Sequence, residues 1–420
     1  MTYDLIIIGA GAAGLFAAAN APADRKTLVL EKMDSPGKKL LMTGSGQCNL
    51  TNNEPIKNFL TRYGPNGKHL RPVLFPFSNL ALMEFFEQHG LPLKVREDGK
   101  VFPASLKSSD VLELLLRLGW ERGIAFSYGS AVTRIDCLSS ESEEHGFSVQ
   151  TAEGEFLSKR VLVATGGASY PQTGSDGAFF ECLGHHGLEL KLVERRPALV
   201  PIFVNDYPYS GLSGVTFPDC TIEVTHKGDG TAGGSTKAEG SLLLTHKGFS
   251  GPAILEISRY VSQGDRLTIN YLPNLAYNTD TLRTELIQKA TGDARQIVTI
   301  LESITELPRS FLECICKLCH VTPNEKASRL SGREMGLLAK QITADSYEIS
   351  DTGGFQTAMT TTGGVSLDEV DLRTMEAKRY PGLYFAGEVL DVDGDTGGYN
   401  LQFAFSSAMR AVTRTNCDHR

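Results

Sequence analysis

Three glycines near the start of the chain have the spacing of a phosphate-binding turn. Gly9, Gly11 and Gly14 follow an apolar run that predicts a buried strand, and they precede small residues that predict a helix. In such a turn the first glycine permits the bend, the second lets the backbone approach a pyrophosphate, and the third lets the helix pack closely on the strand. Glu31 stands 22 positions after Gly9, at the end of the next predicted strand, where a carboxylate can bind ribose hydroxyls. The pattern therefore predicts a bound dinucleotide.

Three later segments favour FAD over NAD as that dinucleotide. Residues 163–167 end an apolar run with small residues and resemble the Ala-Thr-Gly turn of two-domain FAD reductases. Residues 383–388 resemble the late strand of the same enzymes, whose carboxylate binds the ribityl chain, although Glu388 stands where Asp is more usual. Residues 397–400 open the last predicted helix, and in such flavoproteins that N-terminus stabilises the negative charge that forms on the flavin at reduction. We therefore expect FAD.

The elements that must position these residues alternate between strand and helix patterns. Residues 3–8, 27–30 and 160–164 are typical of strands in a buried parallel sheet, and residues 12–19 predict the helix between the first two. After about residue 191 the pattern changes to the short strands of a separate β unit. A mostly helical stretch follows, and strands, glycine clusters and one last helix then return. An α/β nucleotide-binding domain with a long insert is therefore expected.

Composition places the chain among soluble globular proteins. It has 420 residues, a formal net charge of −8 and 41% hydrophobic residues, which exclude the disordered and fibrous classes. The apolar stretch 5–19 contains three glycines, is too short to span a bilayer and follows no positive charge, so we expect neither a signal peptide nor a membrane partner. The eight cysteines are scattered, which is typical of reduced thiols, and a cytoplasmic protein is expected.

Several long segments carry a resemblance to one known family over nearly the whole chain. They are residues 37–52, 164–171, 245–252, 362–365, 386–391 and 397–402. These strings resemble the BaiN-like flavoproteins, also called YhiN-like, a family of NAD(P)/FAD-dependent oxidoreductases. The sequence departs from the family at Lys38 and Gln47, where Arg is usual, and position 47 thereby lacks the forked guanidinium that best binds an anion.

The resemblance implies a fold, a cofactor site and an electron donor. The fold would be a Rossmann-like FAD-binding domain in two parts, residues 1–190 and 344–420, interrupted by an inserted β-barrel at 191–275 and a helical subdomain at 276–343. Together with the turn described above, the implied cofactor-binding residues are Gly9, Gly11, Ala12, Ala13, Gly14, Glu31, Lys32, Lys39, Leu40, Thr43, Gly44, Gly46, Asn49, Val132, Ala164, Thr165, Gly166, Gly387, Glu388, Gly397, Gly398, Tyr399, Asn400 and Leu401. NAD(P)H is the expected donor, but it would have to dock transiently against the flavin because the sequence has no second glycine fingerprint of comparable quality. The identity of the donor therefore stays open.

Cys48 and His246 are the candidate catalytic residues. In disulfide reductases a second cysteine follows five positions after the first, but Asn53 stands there, so a dithiol relay is excluded. A lone thiol beside a flavin would instead donate the proton that completes addition of hydrogen across a C=C bond, unless Cys48 is a packed small residue. His246, near a helix that begins at Pro252, would project from the insert toward the flavin, unless it is a satisfied loop histidine.

The cysteine cluster at residues 314–319 is expected to pack in a core rather than to bind metal. Residues 316–320 match the spacing of c-type haem attachment, but that chemistry requires export. Zinc would lack a second ligand pair at finger spacing. Five residues fall on one helical face, as core packing requires: Phe311, Leu312, Ile315, Leu318 and Cys319. No metal is predicted.

The functional hypotheses share flavin chemistry and differ in the substrate. The first is a reductase of an activated C=C bond in a small-molecule enone, since bile-acid enone reduction is linked to the family. The second is reduction of uridine to dihydrouridine in ribosomal RNA, also linked to the family. A flavin redox sensor without turnover and an FAD monooxygenase are further alternatives. The choice stays open, as does the oligomeric state, because substrate recognition would lie in the insert.

Local charge gives the RNA hypothesis one argument. The net charge of −8 disfavours nucleic acid as a partner, and DNA is not expected. Residues 61–100, however, hold six Lys or Arg against four acids. Tyr63, His69, Phe75 and Phe77 are interleaved with these cations, as in a surface that stacks bases. The alternative is a solvated face over a core helix.

Overall fold

In a computed structural model the chain forms two compact units. The structure describes residues 2–138, 146–184, 188–227, 234–272 and 277–415. The first unit comprises Met1–Ala198 and Phe355–Arg420, and the second comprises Leu199–Gly354. The second unit is therefore an insert in the sequence of the first.

The two units contain both strands and helices, numbered in chain order. The strands are β1 (Thr2–Tyr3), β2 (Leu5–Ile8), β3 (Thr27–Leu30), β4 (Thr51–Asn52), β5 (Leu93–Val95), β6 (Lys100–Pro103), β7 (Ala125–Ser127), β8 (Val132–Leu138), β9 (Gly146–Thr151), β10 (Gly154–Ser158), β11 (Val161–Val163), β12 (Leu192–Ala198), β13 (Ile202–Val204), β14 (Thr216–Thr225), β15 (Ser235–Leu244), β16 (Gly248–Ser250), β17 (Arg266–Asn270), β18 (Asp345–Thr352), β19 (Thr360–Val365), β20 (Val370–Asp371), β21 (Glu376–Ala377) and β22 (Leu383–Phe385). The helices are α1 (Ala12–Asn20), α2 (Lys38–Met42), α3 (Ile56–Phe59), α4 (Arg71–Leu74), α5 (Asn79–Gln88), α6 (Ser108–Glu121), α7 (Phe179–Gly184), α8 (Pro252–Ile257), α9 (Thr279–Ala290), α10 (Ile297–Thr305), α11 (Arg309–Leu318), α12 (Gly332–Thr343) and α13 (Tyr399–Thr415). In the ranges that the structure describes, no helix has the length and apolar character needed to cross a membrane.

A seven-stranded sheet is the centre of the first unit. Its order is β20-β21-β22-β11-β2-β3-β7, and the last five of these strands run parallel. All residues of β2, β3 and β11 are buried, which explains their nearly continuous apolar sequences. Because the carboxyl ends of parallel strands coincide, the residues that follow β2, β3, β11 and β22 meet at one edge.

Helix α1 lies close against this sheet because its residues are small. Residues 13–19 are all buried. Helix α13 packs against the same helix, and the ring centroids of Phe16 and Phe405 are 4.9 Å apart. These contacts hold α1 between the sheet and α13, with its N-terminus at the carboxyl edge of the sheet.

The second unit contains a closed barrel with the strand order β13-β16-β15-β14-β17-β18. Helices α9 to α12 share a hydrophobic core with the barrel strands. The predicted boundaries at residues 190 and 343 differ from those of the structure. Strand β12 pairs with β19 inside the first unit, so the insert begins at Leu199. Strand β18 pairs with β13 and β17 and closes the barrel, so the insert ends at Gly354.

Helix α11 carries the cysteine cluster on its buried side. Phe311, Leu312, Ile315 and Cys316 are buried. The predicted core face was wrong at Leu318, which is 38% exposed, because the buried stripe runs through Cys316 instead. Among the residues that the structure describes, no group of three or more His, Cys, Asp or Glu side chains is placed to hold a metal ion.

Asp345 is a buried acid within a tyrosine cluster of the second unit. Its Oδ2 accepts hydrogen bonds from the hydroxyls of Tyr209 (2.6 Å) and Tyr271 (2.8 Å), and its Oδ1 accepts one from the side-chain amide of Gln341. Loss of water around this carboxylate, which is 1% exposed, raises its pKa to about 6, although bonds from the tyrosine hydroxyls act in the opposite direction. The folded protein therefore keeps a proton on Asp345 at pH values where the unfolded chain has lost it.

We predict that Asp345→Asn removes the loss of stability that Asp345 causes as the pH rises from about 4 to about 6. Because the pKa of Asp345 is raised in the folded protein, its contribution to the free energy of unfolding is full below about pH 4 and is lost as the pH rises to about 6. A shift of this size corresponds to about 3 kcal/mol. Thermal unfolding of the wild type and the variant across this window measures the effect. The stability of the variant relative to that of the wild type should increase as the pH rises.

Asp351→Asn is the matched control, because Asp351 lies on the same strand but is exposed. Its unfolding curve should follow that of the wild type. Equal pH dependence in all three proteins would contradict the role assigned to Asp345.

Candidate functional site

The first unit contains a cavity of about 590 Å³ at the carboxyl edge of its central sheet. Residues that follow β2, β3, β11 and β22 line it, together with residues of α1, α2 and α13. Most of the predicted cofactor-binding residues line this cavity: Gly9, Gly11, Ala12, Ala13, Glu31, Lys32, Lys39, Leu40, Thr43, Val132, Ala164, Thr165, Gly166, Gly387, Glu388, Asn400 and Leu401.

The three glycines of the first turn have different surroundings. Gly9 has a φ of +100°, and a Cβ there would lie 2.6 Å from the carbonyl oxygen of Ala164. A Cβ at Gly14 would lie 1.8 Å from the carbonyl oxygen of Gly9. Gly11, with a φ of −83°, could carry a Cβ that meets no described protein atom within 4 Å. Packing requires the first and third glycines, whereas the second faces open space, as a cradle for a phosphate would.

Glu31 is held by the backbone on both carboxylate oxygens. Oε2 accepts a hydrogen bond from the N–H of Ala10 (2.7 Å), and Oε1 accepts one from the N–H of Met33 (2.8 Å). The side chain is nearly buried and lines the cavity. Since each carboxylate oxygen can accept a second bond, the fixed carboxylate can still bind a hydroxyl group.

Three residues that line the cavity have buried hydroxyl groups, and only one of the three was predicted from the sequence. Thr165 Oγ1, Ser175 Oγ and Thr360 Oγ1 have no hydrogen-bond partner among the described residues. An unpaired buried hydroxyl costs about 1–3 kcal/mol, so a polar ligand in the cavity would stabilise all three. Only Thr165 was predicted, because it lies in a recognisable turn. Serine and threonine are too common in loops for the other two to stand out.

Two ion pairs also lie in the cavity wall. Lys32 Nζ is 2.7 Å from Asp176 Oδ1. Burial alone would raise the pKa of Asp176, but hydrogen bonds from Lys32 and a backbone N–H, with the Lys32 charge, hold that pKa below its usual value. Lys39 Nζ is 2.6 Å from Glu388 Oε2 and also donates to Ser169 Oγ. Sequence reasoning missed both Asp176 and Ser169, because a pairing between distant segments has no local signal.

Seven of the predicted cofactor-binding residues do not line this cavity: Gly14, Gly44, Gly46, Asn49, Gly397, Gly398 and Tyr399. Several have packing roles beside it. A Cβ at Gly398 would lie 2.6 Å from the backbone of Thr51. The hydroxyl of Tyr399 donates to Glu54 Oε1 (2.7 Å), and its ring centroid lies 5.0 Å from that of Phe59. These contacts hold the start of α13 in place.

Cys48 is not placed to act as a proton donor in this cavity. Its side chain is fully buried and is not part of the cavity lining. Burial raises the pKa of the thiol to about 12, although a hydrogen bond with Thr43 lowers it. A proton donor must reach the substrate, so the structure favours the packed small residue and corrects the catalytic assignment.

His246 lies in the second unit. It is exposed in the turn between β15 and β16. The hydroxyl of Thr245 closes this turn by donating to the carbonyl of Gly248 (2.8 Å). A catalytic role for His246 stays a prediction.

The predicted base-stacking surface at residues 61–100 is only partly present. Tyr63 and Phe77 are buried, so the prediction was wrong for these two rings. The hydroxyl of Tyr63 donates to the backbone oxygen of Tyr399 (2.8 Å), and the ring of Phe77 packs against that of Phe16. Several cations and two of the aromatic side chains in this segment are exposed: Lys68, His69, Arg71, Phe75, Lys94 and Arg96.

Comparison with known proteins gives relatives over almost the whole chain. The family model described as the HI0933-like protein Rossmann domain matches residues 3–414. The chain is 31% identical to a ribosomal RNA dihydrouridine synthase of Escherichia coli (strain K12) over 410 residues, which cover 97% of this chain and 96% of that protein. It is 31% identical to a 3-dehydro-bile acid delta(4,6)-reductase of Clostridium scindens over 420 residues, which cover 96% of this chain and 97% of that protein. A ribosomal RNA dihydrouridine synthase of Haemophilus influenzae is 31% identical over 407 residues, covering 96% of each chain.

Among solved structures, the fold is similar to that of the open conformation of a flavocytochrome c3 fumarate reductase, with a TM-score of 0.50 and 14% sequence identity. The match covers 99% of this chain and 79% of the fumarate reductase chain. That likeness concerns the fold alone. Together with the sheet order and the closed barrel, these matches confirm the predicted fold and the predicted resemblance. The chain belongs to the HI0933-like family of Rossmann-type, FAD-binding oxidoreductases.

Proposed function

We propose that this protein reduces a C=C bond conjugated to a carbonyl group, using bound FAD and electrons from NAD(P)H. The observation that carries the proposal is the open space at Gly11 within a cavity at the carboxyl edge of the sheet. The names of two kinds of relative support the reaction class, since a delta(4,6)-reductase and a dihydrouridine synthase both add hydrogen across such a bond.

The cavity residues fit FAD along its length. Gly11 and the N-terminus of α1 would hold the pyrophosphate, because a helix N-terminus has a partial positive charge and free N–H groups. Glu31 would accept hydrogen bonds from ribose hydroxyls. The unpaired hydroxyls of Thr165, Ser175 and Thr360 would bond polar atoms of the cofactor. FAD, when bound, supplies the hydride chemistry that amino-acid side chains lack.

We predict that Gly11→Val gives folded protein without FAD. The φ of −83° suits any residue, and the added side chain meets no described protein atom at its Cβ, so folding should be preserved. The valine would occupy the space that the pyrophosphate needs. Flavin absorbance per chain after purification measures the cofactor, and circular dichroism measures folding.

Gly211→Val is the control, because Gly211 also has open surroundings but lies outside the cavity lining. That variant should retain FAD. One FAD per chain in Gly11→Val would contradict the assignment of the phosphate site.

The reaction class predicts a specific cycle of flavin absorbance. Under anaerobic conditions, NADH or NADPH should bleach the FAD-loaded protein, and a steroid 4-en-3-one should restore its absorbance with formation of the saturated ketone. The saturated ketone itself, which has no conjugated C=C bond, should restore nothing. A flavin that neither nicotinamide reduces would favour a redox sensor, and an oxygenated product formed in air would favour a monooxygenase.

Uridine in ribosomal RNA is the second candidate substrate. Two relatives are named ribosomal RNA dihydrouridine synthases, and exposed cations of the first unit also favour this substrate. Lys68, Arg71 and Arg96 are exposed, and the guanidinium of Arg71 lies 4.9 Å from the centroid of the exposed Phe75 ring. Such cations can contact phosphates while an exposed ring stacks on a base.

We predict that Arg71→Glu lowers dihydrouridine formation in RNA by about tenfold at low salt, because a phosphate contact becomes repulsive. Ribosomal RNA from a deletion strain, incubated with the protein and NAD(P)H, is analysed by nucleoside mass spectrometry. Arg117→Glu, an exposed arginine of α6, is the control. An equal loss in both variants, or no dihydrouridine with the wild type, would count against RNA as substrate.

A further inference from the structure

The Lys39–Glu388 ion pair in the cavity wall has no role in the reaction scheme above. Its two side chains are only 22% and 20% exposed, and the charged atoms are 2.6 Å apart. Lys39 comes from α2 and Glu388 from the residues that follow β22, so the pair joins the two sequence parts of the first unit. A charge pair in this position is fixed by the fold rather than by local sequence.

Glu388 is already occupied on both carboxylate oxygens. Oε1 accepts hydrogen bonds from Ser169 Oγ (2.8 Å) and from the N–H of Thr361 (2.9 Å), while Oε2 accepts from Lys39. Ser169 is fully buried. Its own N–H donates to Thr361 Oγ1 (3.1 Å), so the cluster is held at several points. The carboxylate predicted to bind the ribityl chain is thus bonded to a lysine while it also lines the cavity.

Lys39 presents a fixed positive charge to the cavity. One N–H of its ammonium is directed to Ser169 and one to Glu388. The side chain also lines the cavity, and an ammonium has three donors, so one donor remains beyond these two bonds. The partly buried position weakens the screening of its charge by water.

An FAD molecule bound as proposed above would have its flavin half near this pair. Glu31 follows β3, Gly9 follows β2, and Glu388 follows β22 on the far side of β11. Three strand spacings separate β3 from β22, or about 14 Å. If Glu31 held the adenosine ribose and the β2 turn held the pyrophosphate, the opposite end of the cofactor would extend toward Lys39 and Glu388.

We propose that Lys39 sets the reduction potential of the bound FAD and that Glu388 and Ser169 position its ammonium. This inference rests on the proposed function, since it requires FAD in the cavity. Electrons added to the flavin increase its negative charge, so a nearby ammonium favours the reduced form and a nearby carboxylate opposes it. The two partners of the pair therefore act on the potential with opposite signs.

Anaerobic spectroelectrochemical titration of the FAD-loaded full chain tests the proposal. Lys39→Met should lower the reduction potential of the flavin. At a fixed ambient potential the ratio of oxidised to reduced flavin should change about tenfold, which corresponds to a shift of about 30 mV for a two-electron couple. Glu388→Gln should raise the potential. Lys39→Arg, which keeps the charge, should stay close to the wild type, and Ser169→Ala should move the potential in the same direction as Lys39→Met by a smaller amount.

Lys159→Met is the matched control, because Lys159 pairs with Asp4 in the first unit but lies outside the cavity lining. Its potential should equal that of the wild type. Unchanged potentials in Lys39→Met and Glu388→Gln, shifts of the same sign in both, or loss of FAD from Lys39→Met would overturn the tuning role. Wild-type protein that binds no FAD would instead overturn the proposed function, so the two failures are distinguishable.

Discussion

The close approach of helix α1 to strand β2 is the constraint on which the nucleotide site depends. A side chain at Gly14 would collide with the carbonyl oxygen of Gly9, so only a hydrogen atom fits between the helix and the turn. This contact brings the N-terminus of α1 to the end of β2, and the buried alanines at positions 17–19 continue the close packing along the helix. Gly11 lies between the two packed glycines and is left facing open space. Packing and ligand binding are thus divided among the glycines of one short string.

Contiguous sequence was sufficient to predict the parts of the site that depend on near neighbours. A strand, a glycine turn, a helix and an acid in register predicted β2, α1, β3 and Glu31, since each has a local pattern. Ser175 could not be predicted, because only the tertiary structure shows that its hydroxyl is buried without a partner among the described residues. The barrel boundary failed for a related reason: β18 follows four helices, and nothing local shows that it closes a sheet begun at β13.

The turn after α2 explains why a residue with reactive chemistry has a packing role. Gly44, Ser45, Gly46 and Cys48 all have positive φ, between 56° and 83°. For the two non-glycine residues this conformation costs about 1–2 kcal/mol each, so surrounding contacts must maintain it. The N–H of Cys48 donates to the carbonyl of Thr43 (2.9 Å), and its side chain is fully buried. Since Thr43 lines the cavity, the buried Cys48 that bonds to it stabilises the cavity wall. Exposing the thiol to make it reactive would weaken this packing.

The distribution of charge explains how a chain with a net charge of −8 can bind an anionic cofactor. The lining residues that follow β2 and β11 are uncharged: Gly9, Gly11, Ala164 and Thr165. Three carboxylates of the wall are instead bonded to other groups, Glu31 to backbone N–H groups, Asp176 to Lys32 and Glu388 to Lys39. The fourth, Glu181, is exposed. A diphosphate bound at Gly11 would therefore meet the positive end of α1 and these uncharged lining residues. Because three of the four wall acids are compensated, they add little negative potential to the cavity, and solvent screens the charge of the exposed Glu181.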